Sequence, residues 1–274
     1  MDDLFNRYPV NHSFQITAYR TVDEYHWDKN HLFTGESHNF WEFICVLEGE
    51  AESVRGNQVF HLRPGNFLAD PPMVFHSSRS LASACHVLNF SCEISGNIPA
   101  NLIKGIFYLS PTEIDELTGI FHRILSFATE CGDPDIGSEA SHAMESFLLR
   151  LARQHTPHHR LSNSHNSILY KKIVEDMEET LYENISIQQI AVRNGVSTTT
   201  IKDLFRRFAG IGPKRYYANM RGIEALRLLD EGLEIEQITE IMNYSSTSYF
   251  SNTFKKQFGL PPGQFRKNRL KQDN

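Results

Sequence analysis

Thr199, Lys202, Asp203 and Arg206, with Arg207 beside them, recur at three- and four-residue intervals in one short stretch of a 274-residue chain. Thr247, Ser248, Ser251, Asn252 and Lys255 repeat that spacing in a second stretch nearer the end. At a helical period each set falls on one side. Hydroxyls and a carboxamide near the start of a helix can reach base-pair edges in a DNA groove, whereas lysine and arginine further along suit phosphate oxygens. Asp203 fits either a cytosine amino group or a surface pair with Arg207, and the pair is the expectation. Either set alone could equally be the solvated face of a surface helix.

The elements that must position these residues weigh against that plainer reading. Ser186 and Gln189 form a capping box ahead of the apolar stripe Ile187, Ile190 and Ala191. Gly195 suits the left-handed turn that ends such a short helix. Ser197 then caps a second helix with Ile201, Leu204, Phe205 and Phe208 inward. Short helix, tight turn and second amphipathic helix make a helix-turn-helix pattern.

The pattern occurs twice. Phe205-Arg206-Arg207-Phe208-Ala209-Gly210-Ile211-Gly212-Pro213 and Phe254-Lys255-Lys256-Gln257-Phe258-Gly259-Leu260-Pro261-Pro262 share one pattern: aromatic, two basics, two variable, glycine, aliphatic, variable, proline. The match continues to the aromatics Tyr216 and Phe265, which indicates a duplication. Ile235, Ile238, Thr239 and Asn243 take the places of the first stripe and turn, and Ser246 is the expected cap before Phe250, Phe254 and Phe258. Asn is the best non-glycine residue for a left-handed turn. The offset between units is 48 before the turn and 49 after it, so the second turn is one residue longer. Between the units, Pro213 opens a helix to Asp230. About 17 residues give ~25 Å, which with its junctions approaches the ~34 Å between successive major grooves.

Charge is divided to match. The chain carries a net −6, yet from Ile168 onward 16 Lys and Arg stand against 13 Asp and Glu, leaving the surplus of acid in the first part. A basic half facing phosphates behind an acidic half is the implication. The four cysteines (Cys45, Cys85, Cys92, Cys131) show no CxxC spacing and read as reduced thiols rather than a zinc or disulfide framework. No run approaches ~18 apolar residues, and Met-Asp-Asp-Leu does not begin a signal peptide. A cytoplasmic protein with no membrane contact is expected.

Residues 15–92 read as short strands, among them Trp41-Glu42-Phe43-Ile44-Cys45-Val46-Leu47, punctuated by Gly49, Gly56 and Gly65. That suits an all-β barrel or sandwich. Ser110-Pro111-Thr112-Glu113 opens a helix bearing Leu117, Ile120, Phe121, Ile124 and Leu125. A second helix is expected after Gly137, with Met144, Phe147, Leu148 and Leu151 in register. The expected divisions are 1–109 for the barrel, 110–155 for the helical element, 156–166 for a linker and 167–274 for the all-α part.

On the glycine–proline–aromatic signature that follows each reading helix, residues 168–269 resemble the AraC/XylS family of transcriptional regulators. The resemblance implies an α+β multidomain chain: a cupin-like sensor barrel with a helical dimerisation element, then a tandem helix-turn-helix domain. His38-x3-Glu42-x6-Gly49 and Gly65-x5-Pro71 with His76 match pieces of the two cupin motifs. Metal-binding cupins have a His-x-His pair where this chain has Glu36 and His38. A Glu36/His38/Glu42/His76 metal site is chemically possible, but His38, Glu42 and His76 are expected to be structural or part of an organic-effector pocket. Trp27, Phe40 and Trp41 are candidate walls. No metal and no cofactor are expected. The stripe Met144, Leu148 (or Phe147) and Leu151 would be either a dimer contact or packing against the chain's own barrel.

The function so implied is an effector-responsive activator, not an enzyme, that binds double-stranded promoter DNA as a homodimer near RNA polymerase. The alternative is a metal-dependent cupin enzyme with an appended DNA-binding module.

Overall fold

The computed structural model describes residues 13–81, 83–129, 133–158 and 164–270. Cys131 and the middle of the expected linker lie outside the described residues. The first part of the chain folds into β1 (Phe14–Trp27), β2 (Leu32–Glu36), β3 (Trp41–Glu48), β4 (Ala51–Arg55), β5 (Gln58–Leu62), β6 (Asn66–Asp70), β7 (His76–Ser80), β8 (Cys85–Gly96) and β9 (Phe107–Tyr108). They form two antiparallel sheets, in the orders β1-β8-β3-β6-β9 and β2-β7-β4-β5. Gly49 (φ 78°), Gly56 (φ 55°) and Gly65 (φ 81°) make the tight returns, a backbone conformation that side chains with a Cβ disfavour.

Period-two alternation divides each central strand between two cores. On β3, Phe43 and Cys45 join a cluster with helical residues, while Ile44 and Val46 pack with Phe60, Leu62, Leu68 and Val87 between the sheets. The same alternation places Glu42, Asp70 and Asn89 on the inner side, with Glu42 and Asp70 register partners at the end of the β3–β6 ladder and Asn89 on β8 opposite Ile44. Cys45, Cys85 and Cys92 are buried free thiols.

Helices α1 (Pro111–Thr129) and α2 (Pro134–Gln154) cover the larger sheet. The Ser110–Glu113 capping box forms as its sequence suggests. Helix α2 starts earlier than expected, because Asp133 caps it and Pro134 occupies the first turn. Gly137 is therefore inside the helix, and the Phe127 ring lies where a Cβ would sit, only 2.7 Å away. The possible dimer stripe is also reassigned. Met144, Phe147, Leu148 and Leu151 are all buried against the barrel, which leaves none of them free to meet a second chain. No helix among the described residues is long and apolar enough to cross a membrane.

The remaining helices are α3 (His165–Glu179), α4 (Ile187–Arg193), α5 (Thr198–Phe208), α6 (Pro213–Asp230), α7 (Ile235–Ile241), α8 (Thr247–Phe258) and α9 (Pro262–Leu270). Helix α3 starts within the stretch read as linker because Ser164 accepts from the Ser167 amide. One apolar cluster joins Tyr170, Ile173, Phe205, Phe208 and Tyr216 to barrel residues Val54, Val59 and Phe75. A second holds Leu226, Leu229, Ile238, Phe250 and Phe254. The first helix-turn-helix unit thus shares its core with the barrel, and the second has its own.

Because Leu148 is fully buried within a single chain, Leu148→Ala should lower stability by about 2–5 kcal/mol. Urea denaturation at two protein concentrations checks this, and the loss should be the same at both.

Candidate functional site

The helices of both helix-turn-helix units start as their sequences dictate. The Ser186–Gln189 capping box is complete in both directions. Ser197 accepts from the Thr200 amide and Ser246 from the Tyr249 amide. Gly195 has φ 67° and Asn243 φ 50°, so both turns use the left-handed conformation. The second turn carries the additional residue before its cap.

Thr199, Lys202, Asp203, Arg206 and Arg207 are exposed on α5; on α8, Ser248, Asn252 and Lys255 are exposed while Thr247 and Ser251 are half-buried. Asp203 pairs with Arg206 at 3.4 Å rather than with Arg207. The Arg207 guanidinium instead lies over the Phe208 ring, 5.2 Å from its centroid. Lys202, Arg206 and Lys214 line a concavity of about 650 Å³ beside α5. Tyr249, not singled out by its sequence context, is 56% exposed beside Ser248 and Asn252.

Relative placement of the two units depends on a residue that sequence reading passed over. Arg221 lies on the inner side of α6, 3% exposed, and donates to the carbonyls of Leu181 and Met242. Its guanidinium stacks on Tyr244 at 4.8 Å. Asn184 and Asn243 add a reciprocal brace, each donating to the other's turn at 3.3 and 3.2 Å. A charge at a helix position aligned with Tyr217 and Ala225 was the available signal for Arg221.

In the barrel, the fold brings together His38, Phe40, Glu42 and His76. The His38 ring stacks on Phe40 at 3.6 Å, and its Nδ1 meets the Phe40 carbonyl at 3.0 Å. Its Nε2 lies 3.2 Å from Glu42 Oε2. His76 Nδ1 faces the Val74 carbonyl at 3.1 Å, and Nε2 lies 3.3 Å from the same Glu42 oxygen. Asn89 donates to the other Glu42 oxygen at 2.9 Å. Trp27 is elsewhere, in the apolar core between the sheets and stacked on His31. Trp41 packs on the opposite side of β3, toward the helices.

The electrostatics follow from crowding. Burial alone would raise the Glu42 carboxyl, but the hydrogen bond from His38, the close approach of the His76 imidazole and the bond from Asn89 hold it well below the usual carboxylate range. Burial would lower the His76 imidazole, yet Glu42 and the charge of Asp70 outweigh it and push it up to about 9. Asp70 is raised to about 6 by burial, offset in part by His76 and Arg55.

The barrel also grips the end of the first reading helix. Ser77 Oγ donates to the Phe208 carbonyl at 2.5 Å, and the Gly35 amide donates to the Ala209 carbonyl at 3.0 Å. Tyr216 donates to the Gly56 carbonyl at 3.2 Å and stacks edge-on to Phe75. A Cβ on Gly35 would sit 2.1 Å from the Phe75 ring, so only glycine permits this approach. None of these contacts has a local sequence signature.

Two family profiles agree with the two-part layout. A family profile described as an AraC-like ligand binding domain matches residues 22–164, and one described as a helix-turn-helix domain matches residues 177–268. The HTH-type transcriptional regulator GbdR of Pseudomonas aeruginosa is 32% identical over 132 residues, 46% of this chain and 36% of its own. This chain therefore spans about a third of that relative's length. The uncharacterized HTH-type transcriptional regulator YobQ of Bacillus subtilis is 26% identical over 238 residues, 86% of this chain and 89% of its own. A crystal structure of unsaturated-fatty-acid-bound ToxT from Vibrio cholerae aligns over 92% of this chain and 96% of its own, at 14% identity and a TM-score of 0.37.

The turn chemistry yields a direct expectation. A Cβ at Gly195 would meet nothing within 4 Å, so its substitution strains only the backbone. Gly195→Asn should be tolerated, whereas Gly195→Val should cost about 1–2 kcal/mol, read as a difference in thermal midpoint between the two variants.

Proposed function

This chain belongs to the AraC family of transcriptional regulators, and from that premise we propose that it is a sequence-specific DNA-binding regulator, an activator whose barrel responds to an effector. The observation that carries this reading is the pair of exposed polar faces on α5 and α8, held at a set separation by α6 and braced by Arg221. Thr199 on α5 and Thr247, Ser248, Ser251 and Asn252 on α8 are assigned to base edges. Lys202, Arg206, Arg207 and Lys255 are assigned to phosphates. Asp203, already paired with Arg206, keeps that arginine oriented. Tyr249 joins the second face, where an aromatic ring can meet a thymine methyl or a sugar.

His38, Phe40, Glu42 and His76 are the effector-facing group in this reading, and Trp27 supports them only as barrel core. Promoter DNA and RNA polymerase are the partners, in the cytoplasm. A homodimer is retained on the strength of the family resemblance, with its contact away from the buried face of α2. The alternative of a cupin enzyme with an appended DNA module draws less support, since the two relatives above carry regulator names.

The test uses the full chain, because the first unit shares its core with Val54, Val59 and Phe75. Affinity for promoter DNA should fall linearly with salt on a log–log scale, in proportion to the phosphates neutralised. Lys202→Ala should weaken all sequences alike and reduce the slope by about one. Asn252→Ala should cost about 1–3 kcal/mol at one base pair and relax preference there. Absence of any salt slope would overturn DNA binding, and equal losses on every sequence from both variants would remove the base-reading role of Asn252.

A further inference from the structure

We propose that Glu36, His38, Glu42 and His76 bind a first-row divalent transition-metal ion, and that this ion tightens the barrel's hold on the end of α5. The hold matters for regulation only if the chain is the DNA-binding regulator proposed above; the metal site stands independently of that reading.

The four side chains offer one ligand atom each, and these atoms all lie within 4.8 Å of one another. The measured separations are 3.2 Å for His38 Nε2 to Glu42 Oε2, 3.3 Å for His76 Nε2 to the same oxygen, and 3.9 Å for His38 Nε2 to Glu36 Oε1. A tetrahedron built on metal–ligand bonds of ~2.1 Å has edges of roughly 3.4 Å. The spacing therefore needs little adjustment to receive an ion.

The orientation of each inner ligand is fixed from behind, as metal ligands require. The Phe40 and Val74 carbonyls can only accept, so each holds a proton on Nδ1 and turns Nε2 inward. Asn89 occupies Oε1 of Glu42 and leaves Oε2 for the cluster. The Met73 amide donates to the His38 carbonyl at 2.7 Å, tying the loop before β7 to the loop that carries His38.

An independent observation points to a cation at this position. His76 is 3% exposed, and its Nε2 has no hydrogen-bond partner among the described residues, since Glu42 Oε2 lies off the bonding direction. Oδ1 of Asp70 and Oδ1 of Asn89 are also buried without partners. Buried polar atoms are nearly always satisfied, and here the unsatisfied groups are a ring nitrogen facing inward and carbonyl-type oxygens. A cation bound between the imidazoles and carboxylates would supply the partner that His76 Nε2 lacks. Two imidazoles with two carboxylates suit Zn²⁺ or Fe²⁺ over Mg²⁺ or Ca²⁺, which prefer all-oxygen sets.

The connection to α5 is one residue long on each strand. Glu36 and His76 are register partners across β2 and β7. Their neighbours donate to the end of the helix: Gly35 through its backbone amide to the Ala209 carbonyl, and Ser77 through a side chain that alternation turns away from His76 to the Phe208 carbonyl. An ion clasping Glu36 to His76 would hold together the two strand segments that cap the helix.

The experiment titrates chelator-stripped full-length protein with ZnCl₂ and, separately, MgCl₂ by calorimetry, and follows the Gly35 amide by hydrogen exchange. One Zn²⁺ per chain should bind, with no Mg²⁺ saturation in the same range and a Zn²⁺-dependent rise in Tm. His38→Gln and Glu42→Gln should each weaken Zn²⁺ binding at least tenfold and abolish the rise. His61→Gln, which alters a histidine paired with Glu50 away from the cluster, should change neither. The Glu36 side chain is 52% exposed, so Glu36→Gln, which should also weaken Zn²⁺ binding, keeps a folded sample for comparison if the inner variants do not fold. No saturable Zn²⁺ binding, or binding unaltered in His38→Gln, overturns the site. Unchanged Gly35 exchange in the Zn²⁺ form overturns the hold on α5. DNA affinity measured on the same samples separates the two readings: failure to bind DNA in any metal state counts against the regulator alone.

Discussion

The last carbonyls of α5 have no partner inside the helix, and in this chain the barrel supplies them. A helix end in a buried setting must find donors for these oxygens or pay the desolvation of each. Ser77 and Gly35 meet that need for Phe208 and Ala209. Once they do, the first helix-turn-helix unit cannot be placed independently of the sensor part. Gly35 must lack a Cβ, Phe75 must fill the space beside it, and Tyr216 must lie against Phe75 and Gly56. The apolar cluster that joins Val54, Val59 and Phe75 to α3, α5 and α6 closes over these bonds.

A second constraint is strand alternation in the larger sheet. Each central strand is buried on both sides, by α1 and α2 on one and by the smaller sheet on the other. A polar side chain on such a strand has no water to face and must be paired. Glu42, Asp70 and Asn89 sit on the inner side at one end, where His38, His76 and Arg55 approach. The cost of burying these groups is concentrated in one cluster, next to the strands that hold α5. Chemistry in the barrel and geometry at the end of α5 are thereby adjacent.

Local signals were legible wherever a short stretch decides its own conformation. The capping boxes at Ser110 and Ser186, the left-handed turns at Gly195 and Asn243, and the bounds of α6 from Pro213 to Asp230 all form as read. Other readings failed because neighbours outside the stretch intervened. Gly137 looked like a helix boundary, but Asp133 and Pro134 start α2 earlier and Phe127 uses the missing Cβ. The apolar stripe of α2 was open to two partners, and the barrel takes it. Asp203 selected Arg206 at three residues over Arg207 at four, because Arg207 stacks on Phe208.

By itself, the amino-acid sequence determined the duplicated helix-turn-helix units, their exposed polar faces, the long helix between them and the β-rich character of the first part. These rest on periodicity, caps and turn residues, whose energetics act over a few positions. Only the tertiary structure decided that Arg221 braces the two units, that Trp27 belongs to the core while His38, Glu42 and His76 converge, and that the barrel caps α5. Those outcomes depend on pairs far apart in the chain, such as Gly35 with Ala209 and Ser77 with Phe208. No local pattern encodes such a pairing, because the partner exists only once two separately folded surfaces have met.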